Sequence, residues 1–133
     1  MKPRIAIGEG SCGLAAGAAG VFNAIEKKLD PEKVSLGITG CIGICYLEPI
    51  ADIYDENGDL HRCVRVTPEN ADAIANAAMT GDYSLVSELL IQPEDEEFLT
   101  KQTRIALRRC GIVDPESIDD YIARDGYKAL EKV

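Results

Sequence analysis

The sequence has no tryptophan, a single histidine and no long apolar run. One histidine leaves little material for a histidine-rich metal site or a Ser-His-Asp triad. A membrane-spanning helix needs about 20 consecutive apolar residues. The first residues, MKPRIAIGEG, have a basic tip but not the apolar region of a secretory signal peptide. We therefore expect a cytoplasmic protein with no membrane span.

Positive charge is also scarce. The chain has 14 lysines and arginines against 23 acidic residues, which gives a formal net charge of -9. An acidic surface repels the phosphates of nucleic acids. The basic residues are scattered apart from the pairs Lys27-Lys28 and Arg108-Arg109. The composition therefore argues against nucleic acid as a partner.

Cysteine, in contrast, is well represented for a chain of 133 residues. The five cysteines are Cys12, Cys41, Cys45, Cys63 and Cys110. With an odd number of cysteines, at least one thiol would stay unpaired if the others formed disulfides. In a cytosolic chain, closely spaced cysteines more often indicate metal or redox chemistry.

The apolar pattern predicts an α/β fold over residues 1–85. The predicted elements are a strand at 4–7, a helix at 15–29, a strand at 34–38, strands at 50–54 and 60–66, and a helix that follows Thr67-Pro68-Glu69 and ends near Gly81. Asn57-Gly58 is a strong hairpin signal between the last two strands. A βαβ unit followed by a hairpin and a helix is the thioredoxin-like arrangement, βαβββα.

The rest of the chain has a different character. Residues 86–97 contain the acidic stretch Gln92 to Glu97, which we interpret as a linker. Residues 98–133 are predicted to be a mostly helical extension, with some helix within 98–109, a helix from Asp114-Pro115 to about residue 124, and another from Tyr127. Few apolar residues are available for a separate core, so we expect this segment to be part of something larger.

The loop after the first strand, Gly8-Glu-Gly10-Ser-Cys-Gly13, has the outline of a dinucleotide-binding fingerprint. That function also needs an acidic residue at the end of the next strand. The second strand instead ends in Thr39-Gly-Cys41, and Glu9 in the loop would repel a phosphate. The pattern therefore does not favour nucleotide binding.

A metal centre explains the same loop better. The first two strands of a βαβ unit are parallel, so the loops that follow them lie side by side and bring Cys12, Cys41 and Cys45 together. Backbone N–H groups of glycine-bearing loops stabilise thiolates. Zinc usually has two close cysteine pairs, and a thiol–disulfide site favours C-x-x-C, so both alternatives fit less well. Isolated buried cysteines are the remaining alternative.

The stretch TGCIGICYLEPIADIY, with the preceding strand and helix, resembles the thioredoxin-like [2Fe–2S] ferredoxin domain of respiratory complex I and of bifurcating hydrogenases. The stretch QTRIALRRCGIVDPESIDDYIARDGYKAL resembles the start of the flavin- and NADH-binding subunit of the same enzymes. The resemblance implies an electron-transfer module of a multi-subunit oxidoreductase. It also implies that FMN and NAD(H) bind only in a remainder of that subunit, so that this chain does not oxidise NADH alone.

The resemblance implies that Cys41 and Cys45 are the second ligand pair of the cluster. The family's first pair, C-x-x-x-x-C, falls on Gly8 and Gly13, and Cys12 lies one residue away. The ligand set is therefore incomplete. Candidates for the fourth ligand are the oxygens of Glu9 or Ser11, water, Cys63, and a cysteine of a second chain in a homodimer, whereas Cys110 is expected to be structural. The alternative function is a ferredoxin-like scaffold that has lost its cluster and docks partner subunits.

Overall fold

The computed structural model describes residues 1–133 and contains one four-stranded sheet. The strands are β1 (Arg4–Gly8), β2 (Ser35–Thr39), β3 (Ala51–Tyr54) and β4 (Leu60–Cys63), in the spatial order β2-β1-β3-β4. β1 runs parallel to β2, whereas β3 is antiparallel to both β1 and β4. The predicted α/β order is therefore confirmed.

The first helical region begins earlier than predicted and consists of two helices. α1 spans Ser11–Ala16 and α2 spans Ala18–Glu26. Gly17 separates them with a φ of 102°, a left-handed conformation that glycine adopts without strain. Because α1 begins at Ser11, Cys12 lies in the first turn of a helix and not in a loop.

α3 (Ala71–Thr80) confirms the helix predicted after the hairpin. A short 3-10 helix, Pro68–Asn70, precedes it, and Thr67 and Asn70 form a capping box. Gly81 ends α3 with a φ of 74°. The strand predicted to reach residue 66 is wrong in its length, since β4 ends at Cys63 and Arg65 has a φ of 50°.

The main core lies between the sheet and the helices α2 and α3. Its fully buried side chains include Ile5, Ile53, Val21, Ile25 and Ile74. A second, smaller cluster consists of Ile42, Ile44, Leu47 and Ile50. This cluster anchors the segment between β2 and β3, and that segment carries the predicted metal ligands Cys41 and Cys45.

The C-terminal part contains a 3-10 helix, Tyr83–Leu89, followed by α4 (Pro93–Thr100), α5 (Ile118–Ala123) and α6 (Lys128–Glu131). The acidic stretch interpreted as a linker forms most of α4, because Pro93 at the first helical position and acidic residues in the first turn suit a helix N-terminus. The helix expected within residues 98–109 is wrong, since α4 ends at Thr100. The helix predicted from Asp114-Pro115 begins later, at Ile118, where the Ser117 hydroxyl caps it by accepting the Asp120 N–H.

The helices of this fold are short. None of them has both the length and the apolar character that crossing a membrane requires.

Candidate metal centre

The three predicted cysteines meet at one edge of the sheet. Cys12 follows β1 in the first turn of α1, whereas Cys41 and Cys45 lie in the chain that follows β2. Because β1 and β2 are parallel, both segments leave the sheet at the same edge. The three Sγ atoms lie within 4.8 Å of one another, and the Cys41 and Cys45 sulfurs are 3.5 Å apart.

The segment that carries Cys41 is held in place by a hydrogen bond within it and by contacts with the C-terminal part. Inside it, the N–H of Gly43 donates to the Cys41 Sγ at 3.3 Å, and Gly43 has a φ of 97°. From the C-terminal part, the Arg104 guanidinium donates to the Ile42 carbonyl at 2.6 Å. A Cβ added to Gly111 would lie 2.3 Å from Cγ2 of Ile42, so the two segments are in close contact. The C-terminal part therefore helps to fix the cysteine-bearing segment.

A carboxylate that the sequence analysis missed lies beside the thiols. Glu48 is only 9% exposed. Its Oε1 is 3.8 Å from the Cys12 Sγ, and its Oε2 accepts the Ile50 N–H at 2.9 Å. It forms no ion pair. Its place three residues after Cys45 and next to Pro49 could have drawn attention to it, but nothing in the sequence indicates that it is buried.

The glycine pattern of the first loop is explained by close packing around this carboxylate. A Cβ on Gly8 would lie 3.0 Å from Oε2 of Glu48, and one on Gly10 would lie 3.0 Å from the Cβ of Cys41. A Cβ on Gly13 would lie 2.0 Å from the carbonyl oxygen of Gly8. The distance at Gly13 is too short for any side chain, and those at Gly8 and Gly10 would require Glu48 or Cys41 to shift. The motif therefore lets the start of α1 approach the thiol site, and this requirement accounts for it without a phosphate.

Burial favours the uncharged forms of the groups at this site. Burial and hydrogen bonds with Cys41 and Cys45 raise the pKa of the Cys12 thiol to about 12. Burial also raises the pKa of Glu48, against the lowering effect of the Ile50 N–H. A thiol with so high a pKa is a poor nucleophile at neutral pH. A bound metal cation favours the thiolate, so this donor set suits metal binding better than thiol chemistry.

The other predicted candidates lie outside the thiol group. Cys63 is fully buried in the main core, and Cys110 belongs to the C-terminal part. The side chains of Glu9 and Ser11 form no hydrogen bond. The single histidine, His61, lies away from the thiols on β4 and stacks on the ring of Tyr83, with centroids 3.6 Å apart.

Comparison with known proteins gives a short sequence match to a hydrogenase subunit. No protein-family model matches the chain. The NADP-reducing hydrogenase subunit HndC of Solidesulfovibrio fructosivorans is 70% identical over 33 residues. The matched stretch makes up 25% of this chain and only 7% of that relative.

Comparison with solved structures identifies the fold. A cysteine-to-serine variant of the thioredoxin-like [2Fe–2S] ferredoxin from Aquifex aeolicus superposes with a TM-score of 0.56 at 21% identity, covering 68% of this chain and 98% of that one. The wild-type ferredoxin gives a TM-score of 0.54 at 22% identity and covers the same share of this chain and 96% of its own. The chain therefore has the thioredoxin-like fold of these ferredoxins, with additional helices in its C-terminal part.

Proposed function

We propose that the chain is an electron-transfer module in which Cys12, Cys41 and Cys45 hold a [2Fe–2S]-type cluster. The observation that carries the proposal is the convergence of the three thiols within 4.8 Å at one sheet edge. The fold supports the same cofactor, because solved structures of this fold include [2Fe–2S] ferredoxins. A [2Fe–2S] cluster, when bound, takes up and releases single electrons.

The residues around the thiols fit such a group. Thiolates are the common ligands of iron–sulfur clusters. The closely packed glycines give the backbone access to the site, and the N–H of Gly43 stabilises negative charge on the Cys41 sulfur. The Cys45 side chain is exposed, which leaves this edge of the site open for electron exchange with a partner. The chain thus supplies thiolates, hydrogen bonds and partial burial.

We further propose that the module belongs to an NADH dehydrogenase- or hydrogenase-type oxidoreductase and relays electrons to or from a flavin. The match to a hydrogenase subunit supports this assignment. In this proposed arrangement, residues 1–85 form the cluster domain, residues 86–97 connect it to the rest, and residues 98–133 are the beginning of a flavin- and NADH-binding domain. The FMN and NAD(H) sites then belong to the remainder of that subunit, and the complex works in the cytoplasm.

Exposed apolar side chains in residues 98–133 support a larger assembly. Those at least 50% exposed are Phe98, Ile105, Leu107, Ile118, Ile122, Tyr127, Leu130 and the terminal Val133. Accumulated apolar surface of this kind is typical of protein–protein contacts. We propose that the other subunits of the oxidoreductase, or further parts of the same subunit, cover it.

Anaerobic reconstitution with iron and sulfide tests the proposed cofactor. The wild-type chain is expected to bind about two irons and two acid-labile sulfides. Cys41→Ser is expected to lose most of this iron, because a hydroxyl is a weaker ligand than a thiolate. Cys110→Ser is the matched control and is expected to keep the wild-type content. A well-folded wild-type chain that binds no iron would instead support the cluster-free docking scaffold.

A further inference from the structure

We propose that Glu48 is the fourth ligand, so that the centre has three thiolates and one carboxylate. This inference rests on the proposed function, because it concerns how the same cluster is held. Glu48 is buried beside Cys12, and no cysteine occupies the two positions of the family's first ligand pair.

The donor atoms form two pairs of similar spacing. The Cys41 and Cys45 sulfurs are 3.5 Å apart, and the Cys12 sulfur is 3.8 Å from Oε1 of Glu48. A tetrahedral metal with metal–sulfur bonds of about 2.3 Å has ligand atoms about 3.7 Å apart. Each pair therefore has the spacing of two ligands on one metal ion. Two such pairs supply the four ligands that a two-iron cluster needs.

The Glu48 carboxylate is already oriented for this role. The Ile50 N–H holds Oε2 at 2.9 Å, while Oε1 faces the Cys12 thiol. An outer hydrogen bond of this kind is what orients metal-binding carboxylates in proteins. No arginine or lysine forms an ion pair with Glu48, so a bound cation is the group that would compensate a buried carboxylate here.

The glycines show which space Glu48 occupies. A Cβ on Gly8 would lie 3.0 Å from Oε2 of Glu48, and a Cβ on Gly13 would lie 3.3 Å from the same oxygen. These two positions are the ones on which the family's first cysteine pair falls. Side chains there would therefore compete with Glu48 for one space. In this chain the carboxylate takes the place that the two glycines leave free.

Reconstitution of Glu48→Gln tests the inference, with Glu9→Gln as the matched control. Glutamine keeps the size of the side chain and an acceptor for the Ile50 N–H, but its neutral amide is a much weaker ligand. We expect Glu48→Gln to lose most of its iron or to shift the electron paramagnetic resonance spectrum of the reduced cluster. Glu9→Gln is expected to match the wild type in both measurements.

Mössbauer spectroscopy of the oxidised cluster gives a second readout that does not depend on the glutamine variant. The wild type is expected to contain two different ferric sites, one of them with an oxygen ligand. In Glu48→Cys, which supplies a fourth thiolate, the two sites are expected to become alike.

Two results would overturn the inference while the proposed function stands. One is a reconstituted, folded Glu48→Gln with the iron content and spectra of the wild type. The other is a wild-type cluster with two equivalent, sulfur-ligated irons, which would point to a ligand from a second chain. A folded wild type without iron would instead overturn the proposed function itself.

Discussion

Glu48 couples the stability of the metal-free protein to pH. Burial raises the pKa of this carboxyl in the folded state. The folded protein therefore holds the Glu48 proton more tightly than the unfolded chain does, so this contribution to stability is lost as the pH rises from about 4.3 through the raised pKa. We expect Glu48→Gln to weaken this loss in urea unfolding measured across the pH range.

The comparison of variants isolates the Glu48 contribution from that of the other carboxyl groups. Asp55, Glu69 and Asp125 have lowered pKa values, and their stabilising effects are lost in the opposite direction, as the pH falls. Glu9→Gln serves as the control and should follow the wild-type curve. Identical curves for wild type and Glu48→Gln would contradict a buried, proton-binding Glu48.

The positive charge of Arg62 balances the negative charge of Asp52, the fully buried aspartate of the sheet. Asp52 is 1% exposed and accepts two hydrogen bonds of 2.7 Å from the Arg62 guanidinium. Arg62→Leu should lower the free energy of unfolding by about 3–5 kcal/mol, because it leaves a buried charge without its partner. The double variant with Asp52→Leu should recover part of this loss in chemical denaturation.

The exposed pair Lys28–Asp72 provides the comparison for this ion pair. Its atoms are 3.1 Å apart but both side chains are more than half exposed, so Lys28→Leu should have a much smaller effect. If Lys28→Leu and Arg62→Leu lowered the free energy of unfolding equally, burial of Asp52 would not increase the contribution of its ion pair.

At the residue scale, the sequence predicted the cysteines but not the carboxylate. Cys12, Cys41 and Cys45 could be brought together because parallel strands end at the same sheet edge. The burial of Glu48 depends on how α1 packs against the segment after Cys45, which brings Cys12 beside the carboxylate from 36 positions earlier in the sequence. Such contacts join residues distant in sequence, and no local pattern indicates them.

Among the elements, α1 is the one whose position controls the site. Gly13→Ala would place a Cβ 2.0 Å from the Gly8 carbonyl and would push α1 away from β1. We expect a loss of about 1–3 kcal/mol in unfolding free energy, together with reduced iron binding after reconstitution.

Gly20→Ala is the matched helical control. A Cβ on Gly20 in α2 would meet only Pro68 Cγ, at an ordinary 3.7 Å. Alanine should therefore stabilise α2 by roughly 0.5–1 kcal/mol and leave iron binding unchanged. A Gly13→Ala protein as stable as Gly20→Ala would contradict the close packing of α1.

Elements with strong local signals could be predicted, and those set by tertiary contacts could not. Thr67-Pro68-Glu69 and Gly81 marked in the sequence the two ends of the helical region formed by the 3-10 helix and α3. The early end of β4 depends on the left-handed Arg65 and on the pairing of Cys63 with Leu90, which is distant in sequence. The helical conformation of the acidic stretch was not predicted, because acidic residues after a proline suit a helix N-terminus as well as an irregular linker.

For the whole molecule, the proposed role is a relay and not a complete catalyst. The glycine-rich flavin and NADH loops of the subunit that the C-terminal stretch resembles are not found in the 133 residues. We therefore expect the reconstituted chain, mixed with FMN, to leave NADH absorbance unchanged over time. Steady NADH oxidation by this chain with FMN would contradict the assignment of the flavin and NADH sites to a further part of the subunit.

The overall architecture could be predicted at this scale, whereas the contact between its two parts could not. The βαβ unit and the hairpin predicted the order of strands and helices along the chain and the thioredoxin-like arrangement. The hydrogen bond from Arg104 to the Ile42 carbonyl links the C-terminal part to the cysteine-bearing segment across 62 positions of sequence. Residues 98–133 thus contact the site, although the sequence suggested only a separate extension.

The electron paramagnetic resonance spectrum of the reconstituted chain after dithionite reduction tests the central claim most directly. The account predicts a spin-half signal that accounts for about one spin per chain, as expected for a reduced [2Fe–2S] cluster, and its loss in Cys41→Ser. A folded sample that contains no bound iron and gives no signal would contradict the account. The chain would then have the ferredoxin fold without the cofactor.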